Sequence, residues 1–423
     1  MSTVTLRSKL FGDAAIYLGA NILNAGIPFL LLPILTRVLT PADYGIVAMF
    51  GIVLSVFGAF TGLGVHGAIG VRYFQLEKEE LADYVGTCVG ILVASTSAIA
   101  LLVAVFGTWL SELSSVPADW LLVAVVLSGF QFLGNVRLAL WQVSGQAKRY
   151  GAFQVTQSLV NALVSLVLIL MAGLAWQGRV LGQTTAVLLF GAVALWWLIR
   201  DRQLQLPSKW KANSRDALKF GLPLIPHMIG GLLIVAVDRL IIVKLLDVAQ
   251  AGIYMVALQI GQALGLVTES FNKAYAPWLM KNLSNPTGAL RKKIVRGTYL
   301  YFVLVVATAV VFGLLAPFFL GFLVGESFRA AGEVVIYISL GFAFGGCYYM
   351  VTNYVFFERR TEVLAFVTFA SGLVNIPLMF IFVGHNGITG AGQAFMLTNA
   401  LSFLGTWWLA QKLHPMPWLK AFR

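Results

Sequence analysis

The sequence predicts an all-α polytopic membrane protein of about twelve transmembrane helices in two six-helix halves. Three observations carry that prediction: an apolar composition, spanning-length windows along the whole chain, and basic residues that crowd one side of the alternation. Of the 423 residues, 59% are hydrophobic and 11% charged, where a soluble domain carries roughly 25% charged residues. Mean hydropathy is +0.86. A span with its short loop takes about 30 residues, so the chain holds twelve to fourteen and no large soluble domain.

The windows fall at about 12–36, 44–70, 83–107, 118–140, 150–174 and 179–199. A basic stretch with six Lys/Arg follows, from Arg200 to Lys219. The second set falls at about 221–244, 251–275, 297–321, 332–356, 362–384 and 388–411. The organisation is therefore an N-terminal half, 1–199, a cytoplasmic basic linker, 200–220, and a C-terminal half, 221–423. The first window is too long for the apolar core of a cleaved signal, so the first helix is expected to be retained.

An even number of spans puts both termini on one side. With the termini in the cytoplasm, 22 Lys/Arg lie in cytoplasmic segments, 4 in outer segments, and Arg137, Arg239 and Lys273 inside helices. Short cytoplasmic loops collect Lys and Arg, so this split sets the orientation. It also accounts for the net charge of +12 without nucleic acid: the charges sit in the gaps between apolar windows.

The halves read as repeats. Shifted by 207, Arg37-Val-Leu-Thr-Pro-Ala-Asp-Tyr-Gly45 falls on Lys244-Leu-Leu-Asp-Val-Ala-Gln-Ala-Gly252. Each is a basic residue, a leucine-rich turn and a glycine opening the next helix. Two halves of the same orientation imply a pseudo-two-fold axis along the membrane normal.

Charged side chains inside spans cost about 2.5 kcal/mol or more, so they face a cavity or a partner. Arg137, Asp238, Arg239, Glu269 and Lys273 are such residues, and His66 and His227 are polar companions. Gln262, Glu269 and Lys273 are spaced to share a helix face, with Glu269 and Lys273 in the favourable i,i+4 order. His227 and Asp238 share another face. Asp238 and Arg239 point about 100° apart and are not expected to face one partner together. Gln154, Gln157, Asn161 and Ser165 form a polar stripe on the fifth span. These stripes fit the lining of an aqueous cavity. They also fit a structural reading: mutual neutralisation of Glu269 and Lys273, snorkelling of Arg137 to the interface, packing for the histidines, and interhelical hydrogen bonds for the stripe.

No catalytic set stands out, and an enzyme is not expected. Cys88 and Cys347 each lie inside an apolar stretch and are expected as packed thiols. Gly62-Leu-Gly64-Val-His-Gly67 matches a dinucleotide fingerprint only in letters, because that motif needs a strand before it. No metal or organic cofactor is expected.

Pro33-Ile-Leu-Thr-Arg37-Val-Leu-Thr-Pro41-Ala-Asp43-Tyr44-Gly45 resembles the segment after helix 1 of polysaccharide-biosynthesis flippases. Gly221-Leu-Pro223, Asp238-Arg239 and Gly252-Ile-Tyr254 resemble the opening of their second half, and Phe271-Asn-Lys-Ala-Tyr-Ala-Pro277 the end of their helix 8. The chain thus resembles the Wzx-type O-antigen and exopolysaccharide flippases of the multidrug/oligosaccharidyl-lipid/polysaccharide exporter superfamily. That resemblance implies a MATE-like fold in the bacterial inner membrane. It implies alternating-access transfer of undecaprenyl-pyrophosphate-linked repeat units to the outer leaflet, with a polysaccharide polymerase and a chain-length regulator as neighbours. Arg137, Arg239 and Lys273 would then hold the pyrophosphate, and Asp238 and Glu269 would be the sites of H+ or Na+ coupling. His66, Gln154, Asn161, His227 and Gln262 would line the cavity. Two alternatives stay open: a cation-coupled drug or small-solute exporter of the same fold, and a membrane enzyme of glycan assembly.

Overall fold

The computed structural model describes residues 3–283, 287–358 and 360–421. Among the described residues there are thirteen α-helices and no strand. They are α1 (Thr3–Val38), α2 (Pro41–Phe60), α3 (His66–Arg72), α4 (Lys78–Ser114), α5 (Ala118–Val143), α6 (Ala147–Leu170), α7 (Trp176–Arg200), α8 (Trp210–Gly221), α9 (Leu224–Leu245), α10 (Val248–Leu283), α11 (Gly288–Leu323), α12 (Ala331–Phe357) and α13 (Thr361–Leu413). Each predicted span has its helix. α13 covers two spans, because Gly387 takes a left-handed φ of 57° and reverses the chain between 362–384 and 388–411. The second span also breaks: Gly62 and Gly64 adopt φ of 69° and 70° around a 3-10 turn, Thr61–Gly64, between α2 and α3. The fingerprint glycines therefore serve a helix break, where positive φ costs glycine little.

The chain divides into two compact units. Unit 1 takes the residues up to Leu39 and Ile46–Leu233; unit 2 takes Thr40–Gly45 and the chain from Ile234 onward. In unit 1, α7 packs on α5 and α6, and α6 on α1; Ser158 donates to the Asn24 side chain at 2.6 Å. In unit 2, α12 is the central helix, flanked by α10, α11 and α13. The outermost helices carry bare apolar side chains such as Leu101 and Val105 on α4 and Leu314 and Phe318 on α11. In water such faces would drive aggregation; against acyl chains they are the solvent match. Cys88 and Cys347 are buried and unpaired with each other.

The basic stretch 200–220, expected as a cytoplasmic linker, packs as a part of unit 1. α8 is amphipathic and lies on α3 and α4. The reason is polar as much as apolar. Asp83 of α4 accepts from the backbone N–H groups of Ser208 and Lys209 and from the Asn213 amide. Asp216 on α8 accepts from Arg72 and, at 2.9 Å, from the Tyr84 hydroxyl. The Arg72 guanidinium holds the Asp216 carboxyl below the usual carboxylate range, so this clasp is ionised at neutral pH. Gly90 admits the Trp210 ring against the α4 backbone.

The 207-residue repeat is visible in atomic detail. α1 and α9 end at Val38 and Leu245, and α2 and α10 begin at Pro41 and Val248. Both starts are capped at matching positions. Thr40 Oγ1 accepts from Asp43 N at 3.1 Å, and Asp247 Oδ1 accepts from Gln250 N at 2.8 Å. Asp43 completes a capping box by accepting from the Thr40 N–H at 3.0 Å. Within unit 2 the two helix starts meet reciprocally. A Cβ on Gly45 would stand 1.9 Å from the Val248 carbonyl oxygen, and one on Gly252 2.0 Å from that of Pro41. Only glycine allows this approach.

Candidate functional site

The clearest candidate lies in unit 2. Gln262, Glu269 and Lys273 do share a face of α10, and Glu269 and Lys273 pair at 2.7 Å. Their side chains keep 45% and 62% of their exposure, respectively. An exposed ion pair within a membrane-spanning helix is costly against acyl chains and cheap against water, so this face is suited to a hydrated space. Next to Lys273, Asn272 accepts from the Asn353 side chain of α12 at 2.9 Å. Tyr349, one turn before Asn353, lines a cavity of about 220 Å³ with Tyr348, Ser371, Asn375, Thr398 and Asn399. Here Thr398 donates to Asn375 Oδ1 at 2.8 Å. Its uncharged hydroxyls and amides, set in a largely apolar lining, suit hydrogen bonding to sugar hydroxyls or to water. The sequence reading missed this cavity because it followed charges. Its signal was the polar spacing of Thr368, Ser371 and Asn375, three and four residues apart on one helix face.

Asp238 and Arg239 form a separate, closed cluster. Asp238 accepts from the Tyr254 hydroxyl and from Arg239 N, each at 2.8 Å. The Arg239 guanidinium curls back to 3.7 Å from the same carboxylate, and its Nε approaches Met255 Sδ at 2.6 Å. The two residues, expected not to face one partner together, instead meet each other: the long arginine stem covers the angle between them. Both groups are buried. In this conformation Arg239 offers no open face to a phosphate, and Asp238 ties α9 to α10.

Unit 1 holds the remaining candidates. Arg137 is 1% exposed. It donates to Asp201 Oδ2 at 2.5 Å and to the Gln203 side chain, and its guanidinium stands 4.5 Å from the Trp141 ring centroid. Arg137, expected as a pyrophosphate ligand, in this conformation clamps α5 to the end of α7, with its partners already in place. Arg137 belongs to unit 1 and Arg239 and Lys273 to unit 2; of the three, Lys273 alone is exposed. Replacing Asp201 with alanine leaves a buried guanidinium without its counter-charge. The expected loss is about 2 kcal/mol, below the cost for a fully buried pair because Asp201 is partly exposed. Thermal unfolding in detergent measures it, and Arg137→Met in the same chain should recover most of the loss.

On α6, Asn161 accepts from Arg179 of α7 at 2.6 Å, and Ser165 receives the same guanidinium at 3.1 Å. This part of the stripe makes interhelical hydrogen bonds. Gln154 Oε1 and His66 Nδ1 are buried atoms with no hydrogen-bond partner among the described residues; the His66 ring meets Phe132 edge-on at 5.5 Å. The His227 side chain lies outside the described residues.

Comparison with known proteins follows the same lines. The chain is 23% identical to a Haemophilus influenzae protein of the Lsg locus over 401 residues, covering 90% of this chain and 95% of that protein. It is 26% identical to an uncharacterized membrane protein of the same organism over 375 residues, covering 87% and 89%. Among solved structures it resembles the lipid II flippase MurJ in an inward closed conformation, with a TM-score of 0.75 at 16% identity, covering 95% of this chain and 87% of that one. It also resembles an inward-facing multidrug resistance MATE family transporter of the MOP superfamily, with a TM-score of 0.73 at 15% identity, covering 93% of each. The fold is thus the MATE-like fold expected. The profile of the polysaccharide biosynthesis proteins matches residues 10–283, about two thirds of the chain, and the chain belongs to that family.

Proposed function

We propose that this membrane protein is a flippase for a lipid-linked saccharide. It moves the hydrated headgroup of an undecaprenyl-pyrophosphate-linked oligosaccharide from the cytoplasmic to the outer leaflet of the bacterial inner membrane by alternating access. The observation that carries this reading is the exposed Glu269–Lys273 pair on α10, with a cavity between α12 and α13 whose lining carries hydroxyls and amides. A glycan needs many neutral hydrogen-bonding groups and its pyrophosphate needs a cation; this region offers both, and the lipid tail needs neither. Lys273 takes the anionic group by a charge-assisted bond. Family membership and a fold shared with a lipid II flippase support the same reading.

Coupling belongs to the proposal too. Glu269 is the accessible carboxylate and the first candidate for exchange of H+ or Na+. Asp238 serves as one only in a conformation that uncovers it, because it is buried here.

Cysteine accessibility tests the site. Cys88 and Cys347 are buried, so a single cysteine at the exposed Gln262 reports on a quiet background. It should react with a membrane-impermeant maleimide and be protected by undecaprenyl-pyrophosphate oligosaccharide. Failure to react, or protection by a cationic drug and not by the lipid-linked sugar, overturns the reading; the second result favours an exporter.

A further inference from the structure

We propose a second binding site: a pocket for the phosphate headgroup of an anionic glycerophospholipid, at the end of unit 2 where α11 begins and α13 stops. It is independent of what the protein carries. A cavity of about 960 Å³ lies between the first turn of α11, the last turns of α13 and the C-terminal 3-10 turn, Trp418–Lys420. Among the described residues its charged lining is basic: Arg291, Lys292 and Lys420. Its walls are aromatic, led by Trp407, Trp408 and Trp418.

The start of α11 supplies no acidic side chain of its own. The amino end of a helix favours acidic side chains and repels cations. α11 instead opens with Gly288-Ala-Leu-Arg291-Lys-Lys293 and has no acidic residue in its first turn. Arg291 Nε is buried and has no hydrogen-bond partner among the described residues. An anion in the cavity relieves both: it meets the guanidinium, the neighbouring ammonium groups and the positive helix end together.

The remaining features select a membrane lipid over a free anion. The cavity end is the one that the charge count assigns to the cytoplasmic leaflet. Trp408 and Leu404, on its rim, are exposed at 62% and 53%, and Leu419 next to Lys420 at 93%. Bare tryptophan and leucine beside lysine is the composition of a membrane interface, with aromatic rings at headgroup depth. The turn that closes the cavity is held firmly. Arg296 Nε donates to the Ala421 carbonyl at 2.6 Å, and Trp418 packs edge-on against Tyr299 and Trp407 with centroids 5.6 and 5.1 Å away. The wall therefore exists before a lipid arrives. A phosphodiester seated by Arg291, Lys292 and Lys420 sends its acyl chains along Trp408 and Leu404.

Native mass spectrometry of the delipidated protein tests this, with dioleoyl phosphatidylglycerol or dioleoyl phosphatidylcholine added back. Wild type should retain one phosphatidylglycerol at concentrations where phosphatidylcholine is not retained. The variant carrying Arg291→Gln, Lys292→Gln and Lys420→Gln should bind it about tenfold or more weakly. Lys211→Gln with Arg215→Gln, which remove exposed charges of α8, should change nothing, and Arg291→Lys should keep most of the binding. Should the triple variant not fold, wild type alone decides: phosphatidylglycerol with brominated chains must quench tryptophan fluorescence more than brominated phosphatidylcholine. Equal retention of the two lipids, equal quenching, unchanged binding in a folded triple variant, or displacement by an equal concentration of undecaprenyl phosphate each overturns the proposal.

Discussion

Gly252→Val at the start of α10 is expected to pry apart the two helix starts and to slow transport, while Gly58→Ala on α2 is tolerated. A Cβ at this position meets the Pro41 oxygen at 2.0 Å and Gly45 N at 2.7 Å. Both are backbone atoms and cannot rotate away. The flanking caps hold the helix starts in place: Thr40 and Asp43 on one, Asp247 on the other. Overpacking at a rigid contact of this kind costs about 3 kcal/mol. Gly58, on α2, has open space where a Cβ would stand, so Gly58→Ala should be neutral or stabilise by up to about 1 kcal/mol. Spin labels at Ala42 and Ala249 read the contact. Wild type should give one short distance, and Gly252→Val a second, longer population. An unchanged distance and unchanged transport in Gly252→Val would mean that the contact is incidental.

The same glycines mark how far the sequence could be read. Their register, 207 residues apart, is visible in the letters, as are the spans, because apolar length and the placement of Lys and Arg are one-dimensional signals. The Glu269–Lys273 pair was legible for the same reason: its geometry is set within one turn of helix. Arg137 was not. Its partners, Asp201 and Gln203, lie 64 and 66 residues away, and only tertiary structure decides whether a lone cation inside a span meets a carboxylate or a ligand. Arg239 misled through its flexibility, since the direction of a Cβ says little about where a guanidinium ends. The 200–220 stretch reads as loop by composition, yet Asp83 and Asp216 fasten it. The hydroxyl-lined cavity escaped because serine, threonine and asparagine inside membrane helices are common enough to look like packing.

The second large effect concerns Lys273. If it is the cation that meets the pyrophosphate, Lys273→Glu removes one charge-assisted bond and sets two carboxylates four residues apart on the same helix face. The expected loss of transport is about hundredfold, with little loss of stability, because the pair is exposed and exposed pairs contribute little to folding. Exchanging the two residues, Glu269→Lys with Lys273→Glu, restores the ion pair but moves the cation by one turn. The folded swap should therefore transport poorly. A purely structural pair would instead be rescued by it, and that contrast separates the two roles.

The most direct measurement is headgroup translocation in vesicles. Purified protein is reconstituted with undecaprenyl-pyrophosphate oligosaccharide, and the sugar reaching the opposite leaflet is followed with and without imposed H+ or Na+ gradients. The flippase account predicts translocation by wild type and its loss in folded Lys273→Glu and in the folded swap. Wild type that moves no lipid-linked sugar under any gradient, yet expels cationic dyes, would contradict it.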